Sequence, residues 1–366
     1  MIKVTLSNEI LKYITDIEKN RYIVSEVKLP KAVVNKLRKN SKKKSSYASN
    51  RIEGNPLSEK QADEVIESDD RKHFLRPEQE VRNYFLALNY LEEQAQKGVK
   101  FSKKLILDVQ KYVEKGASKE KIGLRGAMPP GTLFAVYDNA TGNPDYIPPE
   151  YIDIPDLLDE LVDYVNTTDD HPLIVAAIVH YQLVTIHPFE DGNGRTARLL
   201  SGYILDTNGF GFNGIGSLEE YFAYDIQEYY DSIQMGLPAL YYSGRENPPH
   251  PEIWILYFLR MVLLYSNKVC EISERSNGEE LNGSFSYLKG KEKELLSLLL
   301  REYPGEFTPV ELSRKMGVTN KTIINRLATL VKNGFVVPNL TGERIRAYEL
   351  SDFSKRNKDE IIKMTK

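Results

Sequence analysis

From Ser58 to about Asn208 apolar residues recur at three- and four-residue steps, and a single stretch interrupts that rhythm. Tyr84, Leu86, Leu88, Tyr90 and Leu91, after Pro77-Glu78-Gln79-Glu80, give one helix; Leu105, Ile106, Val109 and Val113 give another. Ile154–Val165, Pro172–Ile186 and Arg195–Asp206 continue the pattern, and Asn208-Gly209 stops it. Leu218–Ile233 and Pro251–Ser273 extend it. A chain so patterned folds as a mainly α body. The interruption, Arg125–Pro149, holds five prolines and three glycines around Thr132–Tyr137, a turn at 138–143 and a return strand at Tyr146-Ile147. A hairpin inside a helical domain buries little, so it belongs on the surface.

At 366 residues the chain exceeds one compact core and divides into two or three domains. Its net charge of −3 excludes a uniformly basic or acidic binder. The charge is uneven: Leu288–Lys366 carries 16 Lys and Arg against 10 Asp and Glu, the preceding residues 33 against 42. Cys270 is the only cysteine, which excludes an internal disulfide and a multi-cysteine zinc site. It reads as a small core residue. Trp254–Tyr265 is apolar but short and broken by Arg260, hence a buried helix and no membrane span. With no signal-like N-terminus, the expected compartment is the cytoplasm. The basic run Lys36, Arg38, Lys39, Lys42, Lys43 and Lys44 reads as a solvated face or linker.

Three regions follow: an N-terminal region 1–57, a helical domain 58–275, and a smaller domain 276–366 beyond the polar segment Ser276-Asn277-Gly278-Glu279-Glu280. The last has the order of a winged helix-turn-helix. Helices are expected at Glu292–Arg301, from the Thr308-Pro309-Val310-Glu311 cap to Met316-Gly317, and from Thr319 to Lys332. Phe335-Val336-Val337, a turn at 339–342 and Ile345–Tyr348 form the wing.

The densest polar cluster is His187-Pro188-Phe189-Glu190-Asp191-Gly192-Asn193-Gly194-Arg195-Thr196-Ala197-Arg198. A glycine-rich loop feeding a helix N-terminus binds anions through free N–H groups and the positive end of the helix dipole. Gly192 and Gly194 permit the turn and the close approach of a phosphate. Arg195 and Arg198, three apart, share a helix face and can fork onto phosphate oxygens. Asp191 offers a hard oxygen to Mg²⁺. His187 accepts a proton near neutral pH. No Gly-Lys-Ser/Thr follows, so this is not a Walker A loop.

These residues resemble the Fic (filamentation-induced-by-cAMP) signature, H-P-F-x-D/E-G-N-G-R-x-x-R, with every fixed position filled. The approach His180-Tyr181-Gln182, Thr185-Ile186-His187 is similar too, and the resemblance runs from roughly Ser45 to Met261. It implies a Fic-type helical bundle with a β-hairpin flap, ahead of the winged helix, and transfer of AMP from ATP to a Ser, Thr or Tyr hydroxyl of a protein. His187 would then deprotonate the hydroxyl and Asp191 would hold Mg²⁺. Gly192-Asn193-Gly194 would form the anion hole, Arg195 would grip the β-phosphate and Arg198 the γ-phosphate. Phe189 would anchor the core. Gly194 stands where a lysine marks the phosphotransferring Doc-like branch. The segment 125–149 would clamp a target protein by strand addition. Tyr229 and Tyr230 resemble adenine-holding residues, with two core tyrosines as the alternative.

Ser49-Asn50-Arg51-Ile52-Glu53-Gly54 resembles the family's inhibitory motif, S/T-x-x-x-E-G/N. By that resemblance Glu53 pairs with Arg198 and ATP binds unproductively. Self-modification and a homodimer fit the same resemblance. Two other readings stand beside it. In one the chain is a DNA-binding regulator working through 288–350, with Asn320, Lys321, Thr322, Asn325 and Arg326 on the recognition helix and Arg344 and Arg346 in the wing. In the other the Fic scaffold removes AMP, with Glu53 aligning a water.

Overall fold

The computed structural model describes every residue except 1, 28, 30, 69–70, 72, 118–121, 138–143, 236–247, 342–343 and 365–366. It divides into two compact units, one of residues 1–26 and 30–272, the other of 27–29 and 273–366.

The first unit is helical. α1 (Asn8–Glu26) and α2 (Lys31–Ile52) precede α3 (Glu59–Glu67), α4 (Arg76–Gln96) and α5 (Lys103–Glu114). Local chemistry sets these ends: Ser58 and Gln61 form a reciprocal capping box on α3, and the Ser102 hydroxyl caps α5. α6 (Ile154–Thr167), α7 (Pro172–Ile186) and α8 (Asn193–Thr207) follow. Every residue of α7 from Leu173 to Ile186 except Val184 is buried, so this helix is the spine of the core. α8 packs along it, and α2, α4 and α5 close around α8. Residues 1–26 and 30–57 therefore belong to the same unit as the helices that follow.

The run 218–233 is two helices, not one. α9 (Glu219–Phe222) ends, and α10 (Ile226–Gln234) begins where extended Asp225 accepts a hydrogen bond from the Glu228 N–H. An aspartate at an N-cap outcompetes helix continuation. α11 (Pro251–Ser286) also exceeds its expected span and runs through the polar segment 276–280, so the division at 272/273 falls inside a helix. Its stretch Pro251–Ser276 is long and apolar enough to cross a membrane, yet Trp254, Ile255, Phe258, Leu259 and Val262 are wholly buried in the domain. The Trp254 indole N–H donates to Ala177 O at 2.8 Å, fastening α11 to α7. Cys270 is half-buried, its thiol 3.8 Å from Asn20 O.

The basic run on α2 is solvated only in part: Lys36 and Lys39 are exposed, while the others are paired. Lys42 bonds Asn89 and Glu92, Lys43 reaches Glu67 at 2.7 Å, Lys44 reaches Glu220 at 3.0 Å, and Arg38 donates to Asn213 O at 2.5 Å. Its cations tie α2 to α3, α4 and the 213–220 segment.

Between α5 and α6 lies the hairpin β1 (Val136–Tyr137) and β2 (Pro144–Tyr146), paired Val136↔Tyr146 and Tyr137↔Pro144. The strand is shorter than Thr132–Tyr137, since residues 132–135 make no ladder; the expected turn 138–143 lies outside the described residues.

The second unit holds α12 (Gly290–Glu302), α13 (Pro309–Met316), α14 (Asn320–Lys332), β3 (Val336–Thr341) and β4 (Arg344–Leu350), then α15 (Asp352–Arg356) and α16 (Lys358–Met364). Thr308 and Glu311 cap α13, Gly317 turns the chain at φ 62°, and Thr319 caps α14. Its core gathers Leu295, Leu299, Phe307, Leu312, Ile323, Leu327 and Phe335, each worth about 1.5–3 kcal/mol of burial.

Candidate active site

α7 ends at His187 in a left-handed conformation (φ 49°, ψ 58°), rare for a residue with a Cβ. The turn 187–192 then leads into α8. Its shape is braced from within: Asn193 Oδ1 accepts from Phe189 N–H at 3.0 Å and Asn193 Nδ2 donates to Phe189 O at 2.9 Å. Phe189 is fully buried as the anchor of the turn. The Asn193 side chain therefore holds the loop together. α8 also begins at Asn193, two residues before Arg195.

The base of the hairpin is pinned to this turn. Arg125 N–H donates to Pro188 O at 2.9 Å, Arg125 Nε to His187 O at 2.8 Å, and Arg125 also reaches Pro149 O. Its guanidinium lies 4.7 Å over the Phe134 ring, which in turn sits 5.9 Å from the His187 imidazole.

Val184 O can only accept, so His187 Nδ1 at 3.2 Å carries the proton and Nε2 is left as the acceptor. Burial pushes the imidazole down to about 4, the adjacent Arg125 charge adding to it against the Val184 bond and the nearby carboxylates. His187 is thus neutral at pH 7, with a lone pair open at Nε2.

α8 starts with Gly192 at φ 79° and no capping side chain, which leaves its first N–H groups to an anion. A Cβ on Gly192 would stand 2.7 Å from Glu114 Oε1, so glycine is required here by conformation and by space. Arg195, 3% exposed, donates through Nη2 to Glu114 Oε1 at 2.9 Å and Asp191 Oδ1 at 3.2 Å. Its Nε and Nη1 are buried donors with no hydrogen bond among the described residues, Nη1 standing 4.0 Å from Glu80 Oε1. Two orphan donors beside an uncapped helix call for an anion.

Arg198 is filled. Nε donates to Ser49 Oγ at 2.8 Å, and Nη2 to Ser49 O at 3.1 Å and Glu53 Oε1 at 2.5 Å. Nη1 donates to Tyr229 OH at 3.2 Å, and that hydroxyl lies 2.8 Å from His180 Nε2. Glu53 reaches further, to the start of α8: its Oε1 lies 2.5 Å from where a Gly194 Cβ would be.

Residues 100–205, which hold α5, the hairpin, α7 and nearly all of α8, match the Fic/DOC family. The chain carries a Fic/DOC-family domain. Over 69 residues, 18% of the chain, it is 46% identical to the protein adenylyltransferase Fic of Nematostella vectensis, and over 66 residues 50% identical to protein adenylyltransferase fic-1 of Caenorhabditis elegans. The matched stretches span 16% and 13% of those relatives. Among solved structures, a Fic family protein from Desulfovibrio desulfuricans G20 has the same fold at TM-score 0.58 and 20% identity, over 96% of this chain and 98% of that one. C. elegans Fic-1 (aa134 - 508) aligns at TM-score 0.55 and 24% identity, over 75% and 74%.

The Fic domain brings His187, Asp191, Gly192, Gly194, Arg195 and Arg198 to one lip, and α2 delivers Ser49 and Glu53 to the same place. It does not bring both tyrosines. Tyr229 is 1% exposed, packed among His180, Phe222 and Trp254, and is core; the expectation that it holds adenine is corrected. Tyr230 is exposed, its hydroxyl donating to Ile52 O at 3.2 Å.

Glu114, Arg76 and Glu80 went unread in the sequence. Glu114 is fully buried, its Oε2 has no hydrogen-bond partner among the described residues, and burial pushes its carboxyl up to about 7 against the pull of Arg195. Its signal is a carboxylate on α5 beside the apolar face of Leu105, Val109 and Val113, where solvated residues do not belong. Arg76 bonds Glu80 at 3.0 Å and Asp191 Oδ2 at 3.1 Å. Among the described residues no three His, Cys, Asp or Glu side chains gather as a metal cage. A divalent cation here would rest on Asp191 together with phosphate oxygens, a donor set that suits Mg²⁺.

Proposed function

We propose that the chain transfers AMP from ATP to a hydroxyl of a target protein and that Glu53 holds this activity off. The observation that carries the reading is the pair of unpartnered buried donors on Arg195, set beside the uncapped start of α8 and the neutral His187.

The nucleotide's phosphates would lie across the first N–H groups of α8 and the free Nε and Nη1 of Arg195. Asp191 is the residue that would hold Mg²⁺, which when bound supplies positive charge to the phosphate oxygens. His187 Nε2 takes the proton of the target hydroxyl as its oxygen attacks the α-phosphorus. The new O–P bond forms as the bond to the β-phosphate oxygen breaks, and diphosphate leaves. Fixed donors around the phosphorus carry the charge that develops without reorganising.

Arg198 completes the cradle only when Glu53 leaves it. With Glu53 in place its carboxylate lies where the γ-phosphate would be gripped, and like charges repel. The hairpin suits a target presented as an added strand, since Arg125 fixes its base to the His187 turn. The curated relatives that bear the name protein adenylyltransferase support the same reaction class. Incubation with ATP labelled at the α- or the γ-phosphate tests the reading. Transfer of the α-label alone by Glu53→Gly, absent in His187→Ala, supports it; transfer of the γ-label overturns it.

A second activity is favoured by α14. Asn320, Lys321 and Asn325 are exposed along it and Arg346 is exposed on β4, while the Arg344 side chain lies outside the described residues. In the second unit these would act as a winged helix on duplex DNA. A steep fall of duplex affinity with salt is the expected signature, and salt-independent binding would exclude it.

A further inference from the structure

The first unit contains a cavity of about 430 Å³ walled by α2, α4, α8 and residues 209–219, which meets the 187–198 segment at Arg198. This volume is in the range of small-molecule sites. Its walls are of two kinds. Phe210, Phe212, Phe222 and Tyr265 make an aromatic side, with Phe212 edge-on to Tyr265 at 5.3 Å. The charged lining residues are nearly all already met. Glu92 takes Arg38 and Lys42, and Arg38 also donates to Asn213 O. Glu219 accepts from Tyr84 OH at 2.9 Å and Ser45 Oγ at 2.7 Å.

Asp206 differs. Its carboxylate lines the cavity with accessible surface and has no hydrogen bond or ion pair among the described residues. Burial, reinforced by Glu92 and Glu219 and opposed by Arg38 and Lys42, pushes it up to about 7. One turn earlier on the same face of α8 is Gly202, where a Cβ would meet nothing within 4 Å. Glycine inside a helix is destabilising relative to alanine, and here it leaves open space in the cavity. Arg38, Ser41, Lys42 and Ser45 line the cavity from one face of α2; the turns that continue that helix carry Ser49 and end beside Glu53.

We propose that this cavity binds a small flat organic cation, its charged head on Asp206 and its ring among the phenylalanines, and that the bound cation braces α2. The chemistry is a charge-assisted hydrogen bond to an unpaired carboxylate joined to ring contacts that favour cations. The proposal does not rest on the transfer reaction, because its test reads binding and backbone protection rather than turnover.

Titration calorimetry of the full chain with benzamidine, benzylamine and 2-aminobenzimidazole is the test, with neutral benzamide and anionic benzoate alongside. At least one of the three cations is expected to bind saturably, with benzamide weaker by about tenfold or more. Asp206→Asn should weaken the cation by a similar factor. Gly202→Leu, which fills the space and whose fold circular dichroism would verify, should abolish binding. Hydrogen exchange across residues 38–53 should slow at saturation. Failure of all three cations to bind, equal affinity for benzamide, binding retained in Gly202→Leu, or unchanged exchange in α2 would each overturn the proposal.

Discussion

Glu53 Oε1 stands 2.5 Å from the position a Gly194 Cβ would take, at the first turn of α8. One carboxylate therefore touches both the helix start at Gly194 and the guanidinium of Arg198. Under the proposed function, Glu53 in this conformation competes with the nucleotide for Arg198.

Glu53→Gly should raise self-modification with α-labelled ATP by about tenfold or more, since it turns a minor competent state into the major one. It should also lower stability by about 1–3 kcal/mol, because Arg198 has 1% of its side chain exposed and would lose its only carboxylate contact among the described residues. Urea unfolding of the nucleotide-free variant measures the second effect, and an unchanged midpoint would contradict it.

Gly194→Ala should behave oppositely in two backgrounds. In the natural chain the new methyl meets the Glu53 carboxylate at 2.5 Å and Arg198 Nη1 at 3.2 Å, so the variant should be destabilised. Once Glu53 is glycine that nearer contact is gone and alanine's better helix propensity remains, worth up to about 1 kcal/mol. A double-mutant cycle in urea should therefore show a coupling of about 1 kcal/mol or more. Additive effects would mean that Glu53 does not rest on Gly194.

The lip was legible because its chemistry is continuous in sequence: His187, Asp191, the glycines and both arginines fall within twelve residues, between two helices whose periodicity is plain. The helix-turn-helix order was legible for a similar reason, since Thr308, Gly317 and Thr319 are local caps. What escaped was tertiary. Glu114 is a site residue only because α5 packs beside α8, and nothing near it in sequence says so. Tyr229 and Tyr230 look alike in the chain, yet one helix position apart sends the first into the core and the second outward. Asp225 escaped because apolar periodicity on both sides masked one N-cap, and α11 continues through 276–280 because polar composition alone does not break a helix that lacks proline.

His187 sets an acid limit. Its imidazole, pushed down to about 4 by burial, is neutral far below the ordinary histidine range of about 6.5. For Glu53→Gly, kcat/KM should stay level from pH 7 to about 5 and fall only toward pH 4. A midpoint near 6.5 would mean a solvated imidazole. The same shift affects stability. The unfolded chain binds the proton below about 6.5 and the folded one below about 4, so this group's contribution is present above 6.5 and is lost as pH falls toward 4.

Glu114 acts with the opposite sign, and a comparison with Glu114→Gln isolates it. Its folded carboxyl titrates near 7, above the ordinary value of about 4.5, so the folded chain holds the proton more tightly than the unfolded one. Its contribution is then complete below about pH 4.5 and disappears as pH rises through 7. Glutamine keeps the shape and cannot titrate. The stability advantage of the natural chain over Glu114→Gln should accordingly be larger at pH 5 than at pH 8, by about 1 kcal/mol or more. Urea midpoints at the two pH values give that difference. A difference that grows with pH would instead mean that Glu114 stays ionised, held so by Arg195, and that the unpartnered Oε2 is solvated.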